Sequence, residues 1–166
     1  MDGDSLVIHP ISFDTASPEG WNAHYNTVID FPKSGGPWRK IIMVQTLKCD
    51  STTKGDKYPC GEWDYIWNIF VNVPKKDTLE TFSMGSFVTP YGKRLWLGGE
   101  EGWRWTYDLT DYAPILRGER EIIAGNNQEL LDLRFMFIRG TPERDVLKVE
   151  NIYPYGHHKY GDLADD

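Results

Sequence analysis

A strict alternation of side chains between Trp63 and Val73 constrains the fold of this chain more than any other feature. Successive residues of a β-strand point to opposite faces of the sheet. The odd-numbered positions put six apolar side chains on one face: Trp63, Tyr65, Trp67, Ile69, Val71 and Val73. The even-numbered positions carry a mixture: Asp64, Ile66, Asn68, Phe70 and Asn72. We therefore predict a strand with one face in the core and the other covered in part by a ligand or another domain.

Similar alternating segments recur along the chain between turn residues, and no segment shows a sustained helical period. One helical turn is expected at Ala113–Leu116, and Pro10 predicts that the first strand lies at a sheet edge. The other predicted strands are Ser5–Phe13, Tyr25–Phe31, Trp38–Lys48, Leu79–Thr89, Trp103–Leu109, Glu121–Ala124, Leu131–Arg139 and Val146–Tyr153. This pattern predicts an all-β protein, an antiparallel eight-stranded jelly-roll sandwich over residues 1–153. Residues 154–166 are interpreted as a linker toward a second domain.

Composition and charge exclude several classes of partner. The 166 residues suit one domain. The net charge of -7, from 25 acidic and 18 basic residues, argues against nucleic acid, whose phosphates require a basic surface. No apolar run is long enough to span a membrane. The spacing of Cys and His residues does not suit a metal site, and the pair His157-His158 is interpreted as solvated linker.

The two cysteines of the chain, Cys49 and Cys60, flank a polar segment with turn-forming residues. Cys49 ends one apolar run, and Cys60 stands just before the alternating strand. A disulfide between them would close this segment and would indicate an oxidising compartment. Two reduced, buried thiols are the alternative interpretation.

Four motifs, in this order, resemble the N-terminal jelly-roll domain of the peptide-N-glycosidase F family. They cover roughly residues 38–150, and the first, which follows Cys49, is the most specific of them. The motifs are Cys60–Asp64, Phe87–Tyr91, Tyr107–Tyr112 with Leu116 and Gly118, and Arg139–Glu143.

The resemblance implies one half of a secreted or periplasmic hydrolase whose active site lies between two jelly-roll domains. The implied reaction is hydrolysis of the amide between asparagine and the first N-acetylglucosamine of an N-linked glycoprotein or glycopeptide, without metal or cofactor. By position, Asp64 corresponds to the essential aspartate of the family, and a positioned carboxylate can activate water as a general base. Glu62 is interpreted as a supporting residue, although a structural role is the alternative. The second jelly-roll domain would complete the site, so this chain alone is expected to be inactive.

The chain departs from the family pattern at two positions. Tyr65 follows the aspartate where the founding enzyme has an arginine, and the acidic residue that the family uses near Ile122–Gly125 has no obvious match in Ala124-Gly125-Asn126. A non-catalytic carbohydrate-binding or protein-interaction module therefore remains the alternative function. Trp103 and Trp105 flank a glycine-rich segment and are candidates for stacking on sugar rings, or else for core packing.

Overall fold

A computed structural model describes residues 5–20, 23–33, 36–52, 63–89, 99–125 and 129–153. These residues form eight β-strands and one 3₁₀ turn at Thr110–Tyr112. The strands are β1 (Ser5–Ile11), β2 (Tyr25–Phe31), β3 (Trp38–Cys49), β4 (Ile66–Lys75), β5 (Thr78–Val88), β6 (Trp103–Asp108), β7 (Gly118–Ala124) and β8 (Glu129–Arg139).

The strands form two four-stranded antiparallel sheets that pack face to face. One sheet has the order β1-β8-β3-β6 and the other has the order β2-β7-β4-β5. Consecutive strands such as β1 and β2, or β3 and β4, thus lie in different sheets, which is the arrangement of a jelly roll. The predicted eight-stranded antiparallel sandwich is confirmed.

The core lies between the two sheets and is filled by the alternating positions of the strands. Trp67, Ile69 and Val71 of β4 are buried, and they oppose a row of buried side chains from β8: Leu131, Leu133, Phe135 and Phe137. These residues confirm the faces that the sequence alternation predicts, whereas Trp63, predicted on the same core face, is 48% exposed. β1 lies at a sheet edge as Pro10 predicts, and its pairing with β8 shifts register between Ile8 and Ile11.

Three local predictions need correction. Val146–Tyr153 is not a strand: it has no ladder partner among the described residues, and Ile152 is 93% exposed. The helical region is longer than predicted: a 3₁₀ turn at Thr110–Tyr112 precedes the expected turn at Ala113–Leu116, where the N–H groups of Ile115 and Leu116 donate to the Tyr112 carbonyl at 2.9 and 3.0 Å. The alternating strand begins at Ile66, three residues later than predicted. Residues 154–166, the predicted linker with His157-His158, lie outside the described residues.

Side chains from other segments bind the outer edge of β5. The hydroxyl of Tyr112 donates to the carbonyl of Ser83 at 2.8 Å. The amide of Asn151 donates to the carbonyl of Thr81 at 2.9 Å. The segment that follows β8 therefore crosses from one sheet to the edge strand of the other.

Candidate functional site

Asp64 lies on the exposed connection that leads into β4. The next residue, Tyr65, is buried, and two hydrogen bonds join it to the buried Thr89 at the end of β5. The N–H of Tyr65 donates to Thr89 Oγ1 at 2.9 Å, and the N–H of Thr89 donates to the Tyr65 carbonyl at 2.7 Å. These bonds fix the backbone beside Asp64, so the residue is held at the surface of the sandwich.

The outer face of the sheet next to Asp64 is apolar. Ile66 and Val88 pair directly across β4 and β5, and they are 58% and 59% exposed. Trp63, which precedes Asp64, is 48% exposed. Contiguous apolar surface of this kind typically marks an interaction site. The arrangement agrees with the expectation that another group covers this face of β4, with Asp64 at its margin.

Four aromatic rings lead from the core to the surface at the same end of the sandwich. The buried Trp67 stacks on Phe87 with ring centroids 6.4 Å apart, and Phe87 stacks on Trp105 at 4.4 Å with an interplanar angle of 19°. Trp103 lies beside Trp105 at 6.4 Å with its ring tilted by 51°. Phe87 covers one face of the half-buried Trp105, whereas Trp103 is 46% exposed. Trp103 is therefore the more accessible of the two predicted sugar-stacking residues.

Contacts with both sheets hold Trp67 at the inner end of this aromatic row. Its Nε1–H donates to Gln45 Oε1 of β3 at 3.2 Å. On its other side the ring lies against Gly125, where a Cβ atom would come within 2.9 Å of Trp67 Cη2. Gly125 also has a φ of +102°, a conformation that favours glycine. Gly125 therefore lies at a close contact between the backbone and the Trp67 ring.

Hydrogen bonds connect Gly125, which follows β7, to β4 and to the residue before β2. The sequence did not predict these bonds. The N–H of Gly125 donates to the Asn68 carbonyl of β4 at 2.9 Å. The carbonyl of Gly125 accepts from Nδ1–H of His24, also at 2.9 Å, since a carbonyl oxygen can only accept. No sequence signal could reveal this contact, because His24 and Gly125 are 101 residues apart in the chain.

A second unpredicted cluster surrounds Asp50, which follows Cys49. The hydroxyl of Ser17 donates to Asp50 Oδ2 at 2.6 Å, and the N–H and hydroxyl of Thr52 donate to Asp50 Oδ1 at 2.8 and 2.6 Å. Burial raises the pKa of Asp50, but these hydrogen bonds outweigh burial and the net pKa is lowered. An Asp whose side chain binds the N–H two residues later is a recognisable turn signal, so this part was open to prediction.

The structure leaves the cysteine pair and Glu62 as predictions. Cys49 is the last residue of β3 and is half-buried. Its predicted partner Cys60 lies outside the described residues, as does Glu62. The structure therefore places Asp64, Trp103 and Trp105 at one end of the sandwich, whereas the supporting carboxylate and the disulfide remain predicted from sequence.

The described residues provide neither a metal cluster nor a membrane helix. Within the described ranges, no three His, Cys, Asp or Glu side chains come together in a way that could hold a metal ion. The same part of the chain has no helix with the length and apolarity that crossing a bilayer requires.

Comparison with known proteins relates this sandwich to one group of enzymes. No protein-family model matches the sequence. The peptide-N(4)-(N-acetyl-beta-D-glucosaminyl)asparagine amidase F of Elizabethkingia miricola is 28% identical over 123 residues, which are 69% of this chain and 32% of that enzyme. The chain therefore spans about a third of the length of this curated relative.

Solved structures of such enzymes share the fold. PNGase F, a glycosylasparaginase from Flavobacterium meningosepticum, superposes with a TM-score of 0.59 at 24% identity, over 84% of this chain and 43% of that one. A crystal structure of a peptide-N(4)-(N-acetyl-beta-D-glucosaminyl)asparagine amidase gives a TM-score of 0.57 at 23% identity, over 83% and 44% of the two chains. In sequence and in fold, this chain is therefore similar to one jelly-roll domain of peptide-N-glycosidase F.

Proposed function

We propose that this chain is the N-terminal domain of a glycoamidase that hydrolyses the Asn–GlcNAc amide of N-linked glycoproteins or glycopeptides. The observation that carries the proposal is the sequence match to amidase F together with the exposed position of Asp64, next to an uncovered apolar face. The chain spans less than half of the enzymes that it matches, and a further domain is proposed to complete the active site.

In the proposed reaction, Asp64 is the hydrolytic carboxylate. Asp64 accepts a proton from a water molecule, whose oxygen attacks the carbonyl carbon of the asparagine side-chain amide. The bond between this carbon and the glycosylated nitrogen then breaks, Asp64 passes its proton to that nitrogen, and the nitrogen leaves as an amine on the sugar. Asparagine becomes aspartate, and no metal or cofactor takes part. Glu62 is proposed as a supporting residue in the same corner.

A second jelly-roll domain is the proposed partner of the face formed by Ile66 and Val88. Covering these side chains would remove apolar surface from water and would enclose Asp64 at the margin of the interface. A carboxylate that loses water contacts becomes a stronger base, which suits the proposed role. This chain alone therefore lacks the surroundings that the reaction needs, and we expect it to be inactive.

Two further features fit this proposal. Trp103 offers an accessible ring for stacking on a sugar, while Trp105 lies beside it and packs on Phe87. A disulfide between Cys49 and Cys60 is proposed to fix the corner of the chain that includes Glu62, and the described residues include no free cysteine. Such a disulfide would place the protein in an oxidising compartment, which suits a secreted or periplasmic enzyme.

Mass spectrometry of a glycopeptide tests the proposal. The peptide is incubated with the parent-length protein, and the expected product carries aspartate at the former glycosylation site. Asp64→Ala and Asp64→Asn should abolish release without lowering thermal stability, because Asp64 is exposed. Asp30→Ala is the matched control, since Asp30 is an exposed aspartate on β2. Full activity of Asp64→Ala would refute the assigned role.

The alternative function is a carbohydrate-binding module without catalysis. The exposed ring of Trp103 at the end of an aromatic row favours this alternative. A glycan array with the 166-residue chain separates the two functions. Glycan binding that Trp103→Ala removes, together with no release of glycan by the parent-length protein, would favour the binding module.

A further inference from the structure

A cavity of about 590 Å³ lies at the end of the sandwich opposite Asp64. The hydrogen bond between Trp67 and Gln45 places the beginning of β4, and hence Asp64, near the last residues of β3. The cavity is instead next to Trp38, the first residue of β3. Its walls come from the β2–β3 connection, the segment around the 3₁₀ turn and the segment after β8.

Two cationic side chains share one wall of this cavity. Nη2 of Arg117 donates to the carbonyl of Lys33 at 3.0 Å, which holds the guanidinium beside the lysine. The Lys33 side chain lies over Gly118, where a Cβ atom would be 3.4 Å from Lys33 Cε. The carboxylate nearest to Lys33 is Asp30 at 3.6 Å, and because both side chains are largely exposed this ion pair is weak.

A third donor comes from the indole of Trp38. A Cβ atom on Gly36 would lie 3.5 Å from both Cδ1 and Nε1 of Trp38, so the glycine leaves this edge of the ring uncovered. Among the residues that the structure describes, Nε1–H of Trp38 has no hydrogen-bond acceptor. Both residues line the cavity. The indole N–H is therefore available to a ligand beside the two cations.

The charge of the cavity is opposite in sign to that of the protein. Its lining includes Lys33, Arg117 and Arg144 but a single carboxylate, Asp145. Arg144 forms a bidentate ion pair with Asp111. The hydrogen bonds from its guanidinium lower the pKa of Asp111. Lys33 and Arg117 remain without a strong partner of this kind, although the chain has a net charge of -7.

We propose that this cavity binds an acidic saccharide through its carboxylate. A wall that offers an ammonium, a guanidinium and an indole N–H supplies donors, and a carboxylate is a ligand group that only accepts. The lining also includes flat apolar rings that suit the C–H face of a sugar: Pro32, Pro37, Pro114 and Pro142. The volume suits a small ligand of one or two rings.

Binding at this cavity does not depend on the proposed glycoamidase. The cavity is formed by this chain alone and lies at the other end of the strands from Asp64. A failure of glycan release would therefore leave the cavity proposal intact, and the reverse also holds.

Nuclear magnetic resonance titration of the 166-residue chain with glucuronic acid and N-acetylneuraminic acid tests the proposal. We expect a saturable shift of the Trp38 indole N–H signal with the acidic sugars and none with glucose at the same concentration. Arg117→Ala and Lys33→Ala should each weaken the affinity about tenfold, since each removes a charged donor to the carboxylate. Matched controls are Arg104→Ala on β6 and Lys75→Ala at the β4–β5 turn, which should leave the affinity unchanged.

Three outcomes would overturn the proposal. The first is the absence of a saturable shift with either acidic sugar. The second is equal binding by Arg117→Ala and by the unaltered chain, which would place the ligand elsewhere. The third is equal or tighter binding of a short Asp- and Glu-containing peptide, which would assign the cavity to acidic peptides and not to saccharides.

Discussion

Replacing Gly125 by alanine should destabilise the domain for two separable reasons. The backbone at this position has a φ of +102°, and holding a residue with a side chain there costs about 1–3 kcal/mol. In addition, the new Cβ atom would be 2.9 Å from Cη2 of Trp67, which is buried and stacked on Phe87. Because Trp67 cannot move without disturbing these contacts, overpacking adds about 1–3 kcal/mol.

Gly20 provides the matched control for the backbone cost. Its φ of +101° is nearly identical, but a Cβ atom there would meet no atom within 4 Å. Gly20→Ala therefore measures the conformational cost alone. The difference in the free energy of unfolding between the two variants measures the contact with Trp67, which we expect to be about 1–3 kcal/mol.

Urea denaturation of both variants, followed by circular dichroism, gives the two free energies of unfolding. We expect both midpoints to fall, with that of Gly125→Ala falling further at an unchanged slope. Equal losses in the two variants would show that the contact with Trp67 costs nothing, and would refute the argument that Gly125 is required by the ring beside it.

Two further predictions concern charge and aromatic packing. The hydrogen bond from Lys40 lowers the pKa of Asp108 to about 2 from the ordinary 3.8. Ionised Asp108 therefore stabilises the fold above pH 3.8, and this contribution disappears as the pH falls toward 2. Urea midpoints of Asp108→Asn and the unaltered chain should therefore differ at pH 5 and converge near pH 2, and a constant gap would contradict this. Thermal and urea unfolding should show that Trp105→Ala loses about 2 kcal/mol or more, because Trp105 packs on Phe87 at 4.4 Å. Trp103→Ala should lose less than about 1 kcal/mol, and a larger loss than that of Trp105→Ala would reverse the assignment of exposed and supporting rings.

Local periodicity was sufficient to predict the strands and their faces. Trp67, Ile69 and Val71 are buried as the alternation from Trp63 to Val73 predicts, because each strand has one face against the opposite sheet. Pro10 likewise predicts an edge strand, since it lacks an N–H for a second neighbour. Such features depend on residues that are close together in the chain, so they are visible in one sequence.

The segment Val146–Tyr153 shows where local pattern is insufficient. Its apolar residues are spaced as in a strand, but a strand also requires a neighbour with free N–H and carbonyl groups along its length. The side chain of Asn151 donates to Glu80 and Thr81 of β5, whereas Leu147 and Ile152 stay exposed. Whether such a segment becomes a strand depends on a neighbouring strand in the fold, and the hydropathy pattern does not reveal that neighbour.

The sequence pattern placed Asp64 inside the alternating strand and did not reveal the contacts beside it. In the structure Asp64 is exposed and lies just before β4. The bonds between Tyr65 and Thr89 join residues 24 positions apart, and the contact of Gly125 with Trp67 joins still more distant ones. These contacts depend on the order of strands in the sheet, which one sequence does not determine.

The hydrogen bonds at the edge of β5 bear on how this protein avoids self-assembly. An edge strand offers free carbonyls that a strand of another molecule can bind, and such pairing initiates aggregation. The side chains of Tyr112 and Asn151 already occupy the carbonyls of Ser83 and Thr81. An incoming strand would have to displace both side chains before it could continue the sheet. The side chain of Tyr112 and the irregular segment after β8 thus protect this edge from intermolecular β-pairing.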